Sequence, residues 1–272
     1  MVQNEINKLA VISKVIRKDI INMSYKANSS HVGSSLSIVD ILTILYFKIL
    51  NISKDNYKDR NRDKLILSKG HASMGLYSVL ARSGLIDEEI LDTYYMDGSP
   101  LSGHPKKNAL PGIEVSTGSL GHGLAMGCGL ALSDKNDNKE CKTVVIMGDG
   151  ECNEGSIWEA AIFATTNKLN NLIVIIDNNN LQGLGRVDEV ASLYPLGEKW
   201  KAFNWNVKEI NGHDLNEIYI ALKDAYKVEN KPIVIIAHTV KGKGVSFMED
   251  RMEWHYKSPN GIQYKTAMEE LV

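Results

Sequence analysis

Residues Thr143–Leu181 read TVVIMGDGECNEGSIWEAAIFATTNKLNNLIVIIDNNNL. An apolar run, Thr143–Met147, stops at Gly148-Asp149-Gly150, and a helix-like segment follows. A second apolar run, Leu172–Ile176, stops at Asp177-Asn178-Asn179-Asn180. The 27 residues between Gly150 and Asn178 are enough for one crossover helix with its two loops. Such crossovers are right-handed and return to the same sheet, so the two runs read as neighbouring parallel strands. Asp149 and Asn179 then meet at the carboxyl edge, where open α/β sheets bind ligands. One carboxylate, one amide oxygen and a backbone carbonyl suit a hard divalent cation, and Mg²⁺ completes its shell with water and phosphate oxygens. Gly148 and Gly150 let backbone approach a phosphate closely. Gly-Asp-Gly alone is common in turns; the second strand end and its Asn cluster make the pattern specific for a metal-diphosphate.

Composition bounds the remaining possibilities. With 272 residues, 43% hydrophobic and 24% charged, the chain has room for one large α/β domain and no need of disulfides. A net charge of −2 with scattered Lys and Arg gives no footprint for nucleic acid. No apolar run reaches the ~18 residues of a membrane span. The N-terminal segment reads as an amphipathic helix rather than a signal peptide. Cys128, Cys141 and Cys152 show no metal or disulfide spacing, so a cytoplasmic location with free thiols is expected.

Apolar residues at helical spacing predict a helix over residues 4–26, and Leu36–Leu50, apolar nearly all round, predicts a buried one capped by Ser34, Ser35 or Ser37. Further helices are expected at Ser73–Arg82, Asp87–Tyr95 (capped by Asp87), Gly121–Ser133, Leu196–Phe203 and Asp214–Val228. Strands are expected at Trp205–Ile210 and Pro232–Ala237. The charges of Arg60–Lys69, alternating in sign, read as a solvated face. His238–Val272 reads as an ordered loop with a short terminal helix. Strands alternating with helices imply a three-layer α/β/α fold with a mostly parallel sheet, and the lack of a linker implies a single domain over 1–272.

Four histidines sit in Gly- or Ser-rich loops: Ser30-His31-Val32-Gly33, Lys69-Gly70-His71-Ala72, Ser102-Gly103-His104-Pro105 and Glu253-Trp254-His255-Tyr256. Imidazoles move protons near neutral pH and hydrogen-bond hydroxyl-rich substrates. The segment Thr117-Gly118-Ser119-Leu120-Gly121-His122-Gly123 opens a helix whose backbone amides could face an anion. His213 and His238 read as structural. Lys241-Gly242-Lys243-Gly244 fits either a diphosphate or sugar contact or a solvated turn, and Cys152 has nothing nearby in sequence to activate it.

Taken together, these loops resemble the N-terminal half of transketolase, along nearly the whole chain. The family's loops of the type SGHPG, LSKGHAS, GHP, TGSLGHG, GDG…NEG and DNN occur here in the same order. The resemblance implies the thiamine-diphosphate-binding fold, with thiamine diphosphate and Mg²⁺ (Ca²⁺ or Mn²⁺ as alternatives) as cofactors. It assigns Asp149, Asn179 and the Leu181 carbonyl to the metal, and His71, Gly118, Leu120, Gly150 and Asn179 to the cofactor. It places His31 and His255 at the sugars, His104 in proton transfer, and Glu154 in a carboxylate network between two active sites. Two departures stand out: Ser30-His31-Val32 where the family has Gly-His-Pro, and His122 where many members have Gln.

Family transketolases are more than twice this length, and no second run of α/β units supplies the pyrimidine-side glutamate. The resemblance therefore implies a split transketolase, moving a two-carbon ketol unit between sugar substrates. A separate C-terminal subunit would complete it, as a dimer of heterodimers. Alternatives are the α subunit of a 2-oxo-acid dehydrogenase, disfavoured by the histidine loops, and a non-catalytic regulatory paralogue.

Overall fold

In the computed structural model, which describes residues 1–272, seven strands occur. They are β1 (Lys64–Leu67), β2 (Thr143–Gly148), β3 (Leu172–Asn178), β4 (Leu181–Gln182), β5 (Gly185–Arg186), β6 (Asn206–Asn211) and β7 (Ile233–His238). Five form one sheet, in the order β1-β2-β3-β7-β6 with every pair parallel, and β4 and β5 form a small antiparallel hairpin. The central strands are continuous runs of Val, Ile and Leu because both of their faces are covered. Alternation along each strand divides the interior in two. Val144, Ile146, Ile173, Ile175 and Ile235 join one core; Val145, Met147, Val174, Ile176 and Ile236 join the other.

The helices are α1 (Gln3–Ala27), α2 (Val32–Leu36), α3 (Val39–Ile44), α4 (Ser73–Arg82), α5 (Gly123–Asn136), α6 (Gly155–Thr166), α7 (Val187–Ala191), α8 (Leu196–Ala202), α9 (Leu215–Ala225) and α10 (Gly261–Glu270). The first core is covered by α1, α3, α4 and α9, the second by α5, α6 and α8. This is the expected three-layer α/β/α arrangement. The small residues of α5 serve close packing, since a Cβ on Gly127 would lie 2.5 Å from Val145 Cγ2.

Three local expectations are corrected. Leu36–Leu50 is buried as expected but is not one helix: α2 ends at Leu36, α3 starts at Val39, and Leu45–Ile49 is a π-helical turn. The break lies where Ser37 Oγ donates to Asp177 Oδ2 (2.7 Å), so Ser37 ties this segment to the sheet instead of capping it. Ser34 and Ser35 lie inside α2 and cap nothing. Glu88–Thr93 is a 3₁₀ turn, and the Asp87 side chain caps no amide. The third correction is the largest. Arg60–Lys69 is not a solvated face but contains β1, an edge strand. Arg62, Asp63 and Lys69 are buried because distant segments answer each charge: Glu114 pairs with Arg62, while Tyr226 Oη (3.0 Å) and the Lys142 amide (2.7 Å) donate to Asp63.

Candidate active site

The carboxyl ends of β2 and β3 lie side by side, with Gly148 opposite Asp177 in register. The Asp149 amide extends this ladder by donating to the Asp177 carbonyl (3.2 Å). The Asp149 carboxylate turns toward the next strand end and accepts from the amides of Gly150 (2.7 Å) and Asn180 (2.5 Å). It is buried, and both its hydrogen bonds come from backbone amides rather than from a cation. Burial, reinforced by the charge of Asp177, pushes its carboxyl up to about 6. Beside it, Asn179 donates through Nδ2 to Asp177 Oδ2 (2.9 Å), which fixes the amide so that its oxygen accepts from the Leu181 amide (3.0 Å).

Above this edge is a cavity of about 380 Å³ lined by every expected site residue: His31, His71, His104, Gly118, Leu120, Asp149, Gly150, Glu154, Asn179, Leu181 and His255. Four separate loops bring the imidazoles together. Ring centroids lie 5.2 Å apart for His31 and His71, 5.0 Å for His31 and His255, 5.3 Å for His71 and His255, and 6.2 Å for His31 and His104. His31 takes a left-handed backbone (φ 72°), and its amide donates to the His255 carbonyl (3.0 Å). The Ser30-His31-Val32 departure thus still delivers the ring to the cavity. Burial, with His104, Lys241 and Lys69 adding repulsion, holds His31 down to about 4. Burial and then Lys241 hold His255 at about 3; burial also lowers His71 and His104. With burial holding them below the ordinary value of 6.5, all four rings are neutral near pH 7; Lys241 faces His255 Nδ1 (3.2 Å) as a donor, so His255 presents Nε2–H to the cavity.

Three residues of the site, Lys69, Asp177 and Glu151, escaped the sequence reading. Lys69 is buried and pairs with Asp177, whose carboxylate also accepts from Ser37, Asn179 and Thr239. That places α2, β1, β3 and β7 on one anion. Glu151 accepts from Ser68 Oγ, the Gly121 amide (2.9 Å) and the Gly148 amide (3.2 Å). One amide of the Thr117–Gly123 loop therefore faces an anion, and that anion belongs to the chain itself. Lys241 resolves its ambiguity: it is buried and lines the cavity, whereas Lys243 pairs with Glu249 near the surface. Position alone marked Lys69, Asp177 and Glu151, which lie next to Gly70-His71, Asn178-Asn179 and Gly148-Asp149-Gly150.

His213 and His238 make structural hydrogen bonds, and His122 lies outside the cavity. His213 Nε2 accepts from the Val240 amide (2.8 Å), so Nδ1 carries the proton and donates to Asp40 (2.8 Å). His238 bridges Glu209 (2.9 Å) and Asn178 (3.0 Å). His122 is exposed, outside the cavity lining. Glu154 is exposed at the cavity edge, and burial drives the Cys152 thiol well up, away from reactivity.

Three features fit a metal-diphosphate. The donor set is oxygen only, with one anion, and no group of three or more His, Cys, Asp or Glu competes as a metal site. Asp149 is a buried charge with no cation paired to it. Gln182 Nε2 and Asn153 Oδ1, both of cavity-lining residues, are buried without hydrogen-bond partners.

No helix is long and apolar enough to cross a membrane. Residues 7–262 match the family described as "Transketolase, thiamine diphosphate binding domain". The chain is 43% identical to an apulose-4-phosphate transketolase subunit of Phocaeicola vulgatus, over 98% of this chain and 95% of that one. It is 40% identical to the 6-deoxy-6-sulfo-D-fructose transketolase subunit of a Clostridium species, over 95% and 94%. Human transketolase is 34% identical over 94% of this chain but only 40% of its own length. The crystal structure of Campylobacter jejuni transketolase superimposes with a TM-score of 0.89 at 33% identity, covering all of this chain and 43% of that one. The chain belongs to the transketolase family, as its thiamine diphosphate-binding part.

Proposed function

We propose that this chain is the diphosphate-side subunit of a two-chain transketolase, with residues 1–272 acting as one domain. The observation that carries the reading is the convergence of His31, His71, His104 and His255 over Asp149 in one cavity. A metal centre alone needs no such cluster, whereas a polyhydroxylated substrate does. Neither a 2-oxo-acid dehydrogenase α subunit nor a non-catalytic paralogue gains support from the relatives described above.

Asp149, Asn179 Oδ1 and the Leu181 carbonyl would hold Mg²⁺, and His71, Gly118, Leu120, Gly150 and Asn179 would contact thiamine diphosphate. When bound, that cofactor supplies the electron sink that lets a carbon–carbon bond beside a ketose carbonyl break and re-form. The protein orients the sugar and manages its protons. His31 and His255, neutral and 5.0 Å apart edge to face, would hydrogen-bond substrate hydroxyls, His255 as a donor through Nε2. His104 takes or returns the proton of the hydroxyl beside the breaking bond. Glu154, at the rim, would reach a carboxylate network at the subunit interface.

Chain lengths support a separate partner. Two apulose-4-phosphate transketolase subunits are covered almost end to end, while human transketolase extends far beyond the match. Such a partner would carry the pyrimidine-binding side, in a dimer of heterodimers located in the cytoplasm. The relatives' names point to ketoses carrying a phosphate or a sulfo group, and a ketose with such an anionic tail is the proposed donor. The test is ketol transfer by the purified chain, with thiamine diphosphate and Mg²⁺, before and after adding the candidate C-terminal chain. Activity is expected only from the pair. Turnover by the single chain at the rate of a full-length transketolase would refute the split.

A further inference from the structure

Lys241 is 1% exposed, and its ammonium makes two contacts: it donates to the Leu181 carbonyl (2.9 Å) and lies 3.2 Å from His255 Nδ1. No carboxylate pairs with it, in contrast to Lys69, the other buried lysine of the cavity. The stem is confined, since a Cβ on Gly33 would already lie 3.1 Å from Lys241 Cγ. The head borders open cavity. Leu181 supplies the carbonyl assigned above to the metal. An ammonium and a divalent cation on one carbonyl would stand only about 4 Å apart in a poorly hydrated site, where like charges repel strongly.

We propose that Lys241 is a tethered placeholder cation, which holds the Leu181 carbonyl until a divalent metal displaces it and then turns its charge to the incoming diphosphate. The inference rests on the metal assignment of the preceding section and adds a loading order. Metal alone must compete with the ammonium. Metal arriving with a diphosphate offers the ammonium a stronger acceptor than a neutral carbonyl, so the displaced charge is answered within the same cavity. The device disfavours metal without cofactor and couples the two binding events.

The test uses Mn²⁺ alone, followed by electron paramagnetic resonance on the full 272-residue chain. Losing a charge-assisted hydrogen bond and a like charge should make Lys241→Met bind Mn²⁺ roughly ten-fold more tightly than wild type. Lys241→Arg, which keeps the charge, should bind as wild type does. With Mn²⁺ saturating, thiamine diphosphate should bind Lys241→Met more weakly. If methionine is not tolerated in the fold, Lys241→Gln removes the charge, keeps a donor for Leu181, and must shift Mn²⁺ affinity in the same direction. Equal or weaker Mn²⁺ affinity in the neutral variants, including no detectable binding in any protein, overturns the proposal. Asp149→Asn separates the two levels. If it loses Mn²⁺ while Lys241→Met gains nothing, only the placeholder role fails. If it binds Mn²⁺ as wild type does, the metal assignment fails and the placeholder role with it.

Discussion

Lys69→Met would test whether the site is built on a buried ion pair. The two side chains are 3% and 0% exposed, and the ammonium is the only cation paired with Asp177. Burial alone would raise the Asp177 carboxyl; Lys69, with the Thr239 and Ser37 hydrogen bonds, outweighs it, so the group is held below its ordinary value. Removing one member of a buried pair typically costs about 3–5 kcal/mol, because the other is left charged and dry. Asp177 keeps three donors, Ser37, Asn179 and Thr239, which places the expected loss near the lower end, about 3 kcal/mol. Urea unfolding followed by circular dichroism at pH 7 measures it. Lys69→Met combined with Asp177→Asn should recover at least half the loss, since no buried charge remains. The pH dependence has a definite sign. In the single variant the folded pKa of Asp177 rises above its unfolded value. The deficit is therefore full above that folded pKa and shrinks as pH falls through it. A loss below about 1 kcal/mol, or a double variant no better than the single one, would refute the reasoning.

The other predictions follow from the same geometry. Gly121 has φ 83°, and a Cβ there would lie 2.6 Å from Ser156 Oγ and 2.7 Å from Glu154 Cβ, so Gly121→Ala should cost about 2–3 kcal/mol and displace Glu154. Gly129, helical and with nothing within 4 Å, is the control: Gly129→Ala should stabilise by roughly 0.5–1 kcal/mol, and a similar gain at Gly121 would refute the clash. Asp149→Asn should lower Mg²⁺-dependent thiamine diphosphate affinity by roughly ten-fold or more in calorimetry, while the thermal midpoint holds or rises because a carboxyl pushed up by burial is a liability at pH 7. His31→Ala and His255→Ala in the reconstituted pair should lose about 2–4 kcal/mol in kcat/KM with a much smaller change in cofactor affinity; the reverse pattern would move these residues from sugar to cofactor. His31 and His255 have folded values, about 4 and about 3, below the ordinary 6.5, so the unfolded chain takes up protons first and their contribution to stability is lost as pH falls below that value. Between pH 7 and 5 wild type should lose about 1 kcal/mol per histidine, allowing for partial exposure, relative to a His31→Gln, His255→Gln variant.

Features encoded within one short segment were legible before the fold was known. Strand, turn and carboxylate adjoin at Thr143–Gly150, and each histidine lies within its own Gly- or Ser-rich loop, so periodicity and turn chemistry suffice. What stayed hidden is non-local. The alternating charges of Arg60–Lys69 look solvated until Glu114, Tyr226 and Asp177 are folded against them. The Leu36–Leu50 run looks like one helix until Asp177, 140 residues from Ser37, captures the Ser37 hydroxyl. A charge or hydroxyl that will be buried by a partner far along the chain carries no local mark, because an exposed residue of the same type has the same neighbours in sequence.

Once the fold is known, pairing separates scaffold from site more sharply than burial does. Arg17 with Asp40 and Lys69 with Asp177 are buried charges answered within the chain, the half-buried Lys64 answers the buried Asp134, and each pair joins elements distant in sequence. Asp40, held at about 2 with Arg17 and His213 outweighing its burial, belongs wholly to this framework. Asp149 and Lys241 are as buried, yet neither has an opposite charge paired with it, and both line the one histidine-rich cavity. Folding alone would not retain them, since an isolated buried charge costs several kcal/mol and an apolar residue would cost nothing comparable. An anion awaiting a cation and a cation awaiting an anion, facing the same space, are complementary to a metal-diphosphate and to little else in aqueous solution. The same asymmetry makes the site a place where the free chain gives up stability, to be regained when both charges are answered together.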